Sequence, residues 1–176
     1  MSKSGVIVFD DKETDLILND FIKKIINSDL DFNNAGIIGI KNGGIVLADL
    51  IKKTVLDRFG IDCKIGYIDM TLYRDDPFAV KKSGDSTDLP FDINGKEILL
   101  VDDVISSGRT VRAAIDEIFD FGRPKSIKLA VLIDKGGREL PLCPDFVGKK
   151  IESGKDETIH VDILSKEKHV DKIIKK

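Results

Sequence analysis

The chain has 176 residues, 41% of them hydrophobic, and 28 basic against 31 acidic side chains give it a formal charge of −3. That length suits a single domain spanning 1–176, large enough to bury a real core. The composition excludes a bilayer span, because no apolar run approaches the roughly 18 residues one needs, and it shows no basic excess of the kind that advertises nucleic-acid binding. The opening residues, MSKSGVIVFDDKE, carry no long apolar signal segment. Cys63 and Cys143 provide neither a disulfide framework nor metal-ligand spacing, so a cytoplasmic protein with reduced thiols and no membrane association is expected.

Val6 to Phe9 is a short apolar segment. Asp10 or Asp11 then caps a predicted helix with Leu18, Phe21, Ile22 and Ile25 on one face, and Lys23 and Lys24 on its solvated side. Ala35 to Ile40 reads as a buried strand. It runs into Lys41-Asn42-Gly43-Gly44, and a helix from near Ile45 follows, with Leu47, Ala48, Ile51 and Val55 on one face. Glycines let a backbone come close to a diphosphate or adopt positive φ, although by itself K-N-G-G reads as an ordinary turn. Lys64 to Thr71 is the third strand. The polar stretch from Pro77 to Asn94 has no periodicity, and within a compact domain that pattern predicts an active-site lid, drawn here at about 74–94.

The organising segment runs from Glu97 to Phe121. Ile98 to Val101 is an unbroken apolar run, as in a strand buried on both faces, and Asp102 and Asp103 end it. A loop, Ser106-Ser107-Gly108, leads through Arg109 and Thr110 into a helix with Val111, Ala114, Ile115, Ile118 and Phe119 at helical spacing, which stops near Gly122-Arg123-Pro124. Free N–H groups at such a loop and helix start favour an anion, and two acids alongside can hold sugar hydroxyls or a metal. Ser126 to Ile133 is a further strand, followed by Asp134 to Glu139. The remainder suggests a small irregular subdomain at about 134–165 with one or two strands, and the charged tail SKEKHVDKIIKK suggests at best a terminal helix. Strands alternating with helices predict an α/β fold with a mostly parallel sheet covered on both faces, its ligand beyond the carboxyl ends of the strands. The polar clusters at 41–44, 71–76, 102–110 and 134–138 all fall there.

Four apolar residues, two acids, two apolar residues and S-S-G-R-T resemble the phosphoribosyl-diphosphate (PRPP) signature of type I phosphoribosyltransferases. T-L-Y-R-D-D at 71–76, G-R-P at 122–124, L-A-V-L-I-D-K-G-G-R-E-L-P at 129–141 and D-F-V-G-K-K-I at 145–151 narrow the resemblance. Together they look like the bifunctional pyrimidine-operon attenuator and uracil phosphoribosyltransferase family. The resemblance implies a type I phosphoribosyltransferase fold with a C-terminal hood, conversion of uracil and PRPP to UMP and diphosphate, a Mg²⁺ requirement, and a homodimer or homotetramer. It also implies pyrimidine-nucleotide sensing (UMP or UTP) coupled to an mRNA leader, through residues such as Lys23, Lys24, Lys149, Lys150 and Lys155. By resemblance Asp102, Asp103 and Arg74 are catalytic, the two acids holding the ribose hydroxyls directly or through metal. Lys41, Asn42, Gly43 and Gly44 take the diphosphate. The segment Val104, Ile105, Ser106, Ser107, Gly108, Arg109, Thr110 takes the rest of PRPP, and Asp134, Lys135 and Gly136 form the base pocket.

The chain departs from that family in two places. Asn42 and Gly43 stand where the family has Thr-Arg in its diphosphate loop, and Lys135-Gly136-Gly137-Arg138 stands where it has Arg-Gly-His-Arg. Two alternatives follow. Lys-x-Gly-Gly and Pro144-Asp145-Phe146-Val147-Gly148 also resemble hypoxanthine-guanine phosphoribosyltransferases, though Cys143 occupies the position of their purine-reading Lys and no aromatic follows Phe146. The other alternative is a non-catalytic, nucleotide-sensing RNA-binding regulator.

Overall fold

The computed structural model describes residues 6–69, 87–152, 154, 157–165 and 168–174. The main sheet has five parallel strands in the order β3 (Lys64–Ile68), β2 (Gly36–Ile40), β4 (Glu97–Ile105), β5 (Ser126–Asp134) and β6 (Phe146–Lys150). Helix α1 (Asp11–Ile26) and helix α2 (Gly43–Phe59) cover one face, and α3 (Arg109–Phe121) covers the other. The alternation of strand side chains decides this. Leu99 and Val101 pack with α1 and α2, whereas Ile98 and Leu100 pack with Val111, Ala114 and Ile118 of α3. The apolar run is continuous because both faces are covered.

Asp10 caps α1 with a reciprocal pair: its carboxylate accepts from Glu13 N at 2.9 Å, and Glu13 Oε2 accepts from Asp10 N at 3.1 Å. The expected face is buried, including Phe21 and Ile25 at 0% exposure.

Several elements differ from expectation. Strand β4 continues through both acids to Ile105, because Asp102 still pairs with Val131 and Val104 with Ile133. Helix α2 starts at Gly43, two residues early. The tail is a strand rather than a helix. Residues His169–Ile174 form β8, the centre of a three-stranded antiparallel sheet between β1 (Val6–Phe9) and β7 (Glu157–Asp162). Val170 of β8 is fully buried, and a sequence-local helix would not place it there. D-F-V-G-K-K lies in the main sheet as β6, so the 134–165 stretch contributes to both sheets. Of the stretch drawn as a lid, residues 74–86 lie outside the described residues, while within 87–94 Leu89, Phe91 and Ile93 pack on the core and the residues between them are exposed. Asp88 bridges Tyr67, and Ile93 is 1% exposed in the α3-side core. Arg74 and Lys155 also lie outside the described residues.

In this strand order the chain passes from β2 outward to β3 and then returns to β4 on the other side of β2. The crevice beyond the carboxyl ends of β2 and β4 is therefore the topological switch point, where open α/β sheets bind ligands.

Candidate active site

Two helix starts flank that crevice, α2 after β2 and α3 after β4; neither N-cap residue supplies a side-chain cap, and at α3 the one first-turn side-chain bond among the described residues is the long one from Arg109 N to Ser107 Oγ at 3.4 Å. Asn42 precedes α2 with φ 122° and ψ −93°, a non-glycine residue in a region that L side chains rarely adopt. Backbone held this way costs about 1–3 kcal/mol. Asn42→Gly is expected to raise the melting midpoint by a few degrees, since about 1 kcal/mol moves a domain of this size by about 2–4 °C. A melting curve checks this, and a lowered midpoint would show that the backbone at 42 carries no strain.

Gly43 is packed directly on the acidic pair. A Cβ placed there would lie 2.6 Å from both Cβ and Cγ of Asp103, and nearer still to Oδ2. Asp103 Oδ1 accepts from Val104 N at 2.9 Å, and Asp102 Oδ1 accepts from Asp103 N at 2.9 Å. The two acids are not equivalent. Asp102 is 1% exposed inside the sheet, while Asp103 is half-buried and faces the α2 start. Lys41 extends away from the helix start, with Nζ on Asp69 Oδ2 at 2.7 Å and its backbone N–H on Ile68 O.

A cleft of about 800 Å³ opens between this loop and the small sheet. Asn42, Gly43, Val46, Asp103 and Val104 form one wall, and residues 158–164 on and after β7 form the other. Sequence reading assigned no site residue in β7. Its signal, alternating Ile159 and Val161 with Thr158, His160 and Asp162, is only that of a strand. Asp162 accepts from Ser165 N and Leu164 N at 3.0 Å each. Those bonds, Ser165 first, hold its carboxyl below the usual range and keep a fixed negative charge on the rim.

Across the crevice, Ser106 to Thr110 turn into α3. Gly108 has φ 90°, and a Cβ there would touch Leu142 Cδ1 at 3.3 Å and Leu140 Cβ at 3.7 Å. Arg109 contributes its backbone to the loop, since its guanidinium is paired on the surface with Glu139 Oε2 at 2.7 and 2.8 Å. At the end of β5, Lys135 N donates to Ile105 O at 3.0 Å and so holds Asp134, Lys135 and Gly136 beside the β4 terminus. The Lys135 ammonium donates to Glu157 O at the start of β7, and Asp134 pairs with Arg138.

Among the described residues no group of three or more His, Cys, Asp or Glu side chains is placed to hold a metal. Asp103 offers carboxylate oxygen at the cleft. That fits Mg²⁺, which keeps several waters and binds through one or two carboxylates together with substrate phosphates.

The phosphoribosyl transferase domain model matches residues 8–168. The chain is 46% identical over 150 residues to bifunctional protein PyrR 1 of Lactiplantibacillus plantarum, covering 83% of each. It is 43% identical over 174 residues to bifunctional protein PyrR of Listeria monocytogenes, covering 96% of this chain and 95% of that one. The chain belongs to the phosphoribosyltransferase family, among the bifunctional PyrR proteins. The type I phosphoribosyltransferase fold and the attenuator-family membership expected from the motifs both hold. Among solved structures, a hypoxanthine-guanine phosphoribosyltransferase of Bacillus anthracis superposes with TM-score 0.67 at 21% identity, covering 99% of this chain and 100% of that one. The hypoxanthine phosphoribosyltransferase of Trypanosoma cruzi gives 0.66 at 20%, covering 97% of each. At such identity the purine enzymes are relatives in fold alone. Phosphoribosyltransferases generally use Mg²⁺ with PRPP, in keeping with the donor set at Asp103.

Proposed function

We propose that the protein transfers the 5-phosphoribosyl group of PRPP to uracil, forming UMP and releasing diphosphate. The observation that carries this reading is the convergence at the switch point: the acidic pair at the end of β4, the Gly108 turn into α3, and the 42–44 turn into α2. The base nitrogen forms a bond to the anomeric carbon as that carbon's bond to diphosphate breaks, and positive charge builds on the ribose ring. The protein's task is to position both reactants, stabilise that charge and exclude water. Asp103 faces the ribose hydroxyls, and Asp102 acts from within the sheet by fixing the Asp103 N–H. The 106–110 loop takes the 5′-phosphate through backbone N–H groups, and the α2 start takes the diphosphate. An Asp103 carboxylate oxygen would hold Mg²⁺ when it is bound with PRPP, and the ion would supply positive charge to offset the leaving diphosphate. The cleft against β7 takes the base.

The deciding assay supplies PRPP, Mg²⁺ and either uracil, hypoxanthine or guanine, and scores nucleotide and diphosphate. Turnover with uracil is expected; turnover with a purine alone would overturn the base assignment. Gly108→Val tests the phosphate loop, because a branched residue at φ 90° meets Leu142. The left-handed backbone alone costs about 1–2 kcal/mol, so UMP affinity by calorimetry should fall about ten-fold or more. An unchanged affinity would remove the 5′-phosphate from this loop.

A second activity, binding an mRNA leader under pyrimidine-nucleotide control, is supported by the placement of lysines. Lys23 and Lys24 are exposed on α1, Lys149 and Lys150 are exposed on β6, and the two elements pack together, with Lys24 Nζ on Val147 O at 3.1 Å. Lys24 is also paired with Asp20 Oδ2 at 2.7 Å, and Lys149 and Lys150, successive in β6, project from opposite faces of the sheet, so the positive charge offered beside α1 rests on Lys23 and Lys150. A mobility-shift titration with leader RNA, with and without UMP, tests it. Nucleotide-independent, salt-insensitive binding would argue against it.

A further inference from the structure

Arg138 has no part in the transfer as described above, yet it is one of the most heavily engaged side chains beside the site. Its side chain is 22% exposed and its partner Asp134 is 12% exposed. The guanidinium donates from Nη1 to Ser106 O at 2.7 Å and from Nε to Leu142 O at 3.1 Å, and its Nη2 lies 2.9 Å from Asp134 Oδ1. Asp134 Oδ1 also accepts from Gly136 N at 2.9 Å, so the carboxylate that neutralises the arginine is itself fixed. One planar fork therefore joins the end of β5, the loop before α3 and the segment after residue 140. The next carbonyl, Ser107 O, is held from the same side by Glu139 N at 3.0 Å and Leu140 N at 3.3 Å.

In a trans peptide the C=O and the following N–H point in opposite directions. Holding Ser106 O toward Arg138 directs Ser107 N–H away from residues 138–142. Holding Ser107 O toward residues 139–140 does the same for Gly108 N–H. These are the donors of the loop that turns into α3.

We infer that Arg138 is a positioning residue for phosphate binding: by fixing the Ser106–Ser107 peptide it pre-aims the N–H groups of the 106–110 loop at the anion. The inference rests on the reading that this loop holds the 5′-phosphate. Lysine cannot substitute, because a single ammonium on a flexible stem cannot reach two carbonyls and a carboxylate in one plane. Asp134 and Gly136, expected at the base, sit on this same clamp.

The test uses Arg138→Leu and Arg138→Lys in the full chain, with ribose 5-phosphate as the binding probe in calorimetry and PRPP with uracil for kinetics. Wild type is expected to bind ribose 5-phosphate. In both variants the dissociation constant for ribose 5-phosphate and the KM for PRPP should rise about ten-fold or more, as expected when donors to a charged group lose their aim. The kcat at saturating PRPP should change less than about three-fold, the pattern of lost uniform binding. A folded variant with both constants unchanged overturns the inference. So does failure of both variants to fold, which would make Arg138 a strut for the whole domain. Failure of wild type to bind ribose 5-phosphate would instead overturn the phosphate-loop reading.

Discussion

Asp103→Asn is expected to lower uracil-dependent turnover by about 10²–10³-fold, the usual cost of removing one group that stabilises developing charge. The fold should survive. Asp103 is half-buried at the cleft wall, and the bond that Oδ1 accepts from Val104 N at 2.9 Å can equally be accepted by an amide oxygen. What the amide cannot supply is negative charge next to a ribose ring that becomes positive, or a hard anionic oxygen for Mg²⁺. Asp102→Asn is a poorer probe, because Asp102 is 1% exposed and its change would act on sheet and site together. Steady-state kinetics with saturating PRPP and uracil, beside a melting curve, checks the prediction. Near-normal kcat in a folded Asp103→Asn protein would mean that the acidic pair does not face the reacting ribose.

Much of this site could be read from the chain because its parts are local. Ile98 to Val101, the two acids, the small loop and the α3 stripe are contiguous, and each obeys a short-range rule: a buried strand has no alternation, and an open helix start attracts anions. What was not legible depended on distant pairing. The tail became β8 because β1, more than 150 residues earlier, and β7 supply its hydrogen-bonding partners, and no local propensity encodes that. For the same reason β7 went unrecognised as a wall of the cleft. It reaches Asn42 and Asp103 only through the packing of the small sheet on the main one. The end of β4 was misplaced by a local rule that normally works: two acids look like a strand terminus, but the ladder with β5 holds them in the strand as far as Ile105. Lys41 shows the converse. Its position between β2 and α2 was legible, whereas its engagement with Asp69 needed the neighbouring strand.

Gly43→Arg is expected to lower kcat about ten-fold or more, although it restores the side chain that the resembled family carries in this loop. Considered alone, a guanidinium here could make two charge-assisted bonds to the diphosphate, each worth about 1.5–3 kcal/mol. About 1.4 kcal/mol off the barrier would already be ten-fold in rate. Geometry decides the other way, before the guanidinium is reached. The first carbon of any side chain at 43 would fall 2.6 Å from Cβ and Cγ of Asp103. Those are not the far end of a flexible chain; they sit on β4, which is locked in register to β2 up to Val101 and to β5 on both sides of Asp103. Either the α2 start lifts away from the crevice or the Asp103 carboxylate turns out of it, and overpacking of this kind costs about 1–3 kcal/mol. Positive φ is not the reason, since in this loop it falls on Asn42. The cause can be isolated with Gly43→Ala, which adds the offending carbon and no charge. It should lose kcat to a similar degree, with a raised KM for PRPP. A Gly43→Arg protein that turns over faster than wild type would show that Asp103 yields after all, and that glycine at 43 marks a weakened diphosphate site.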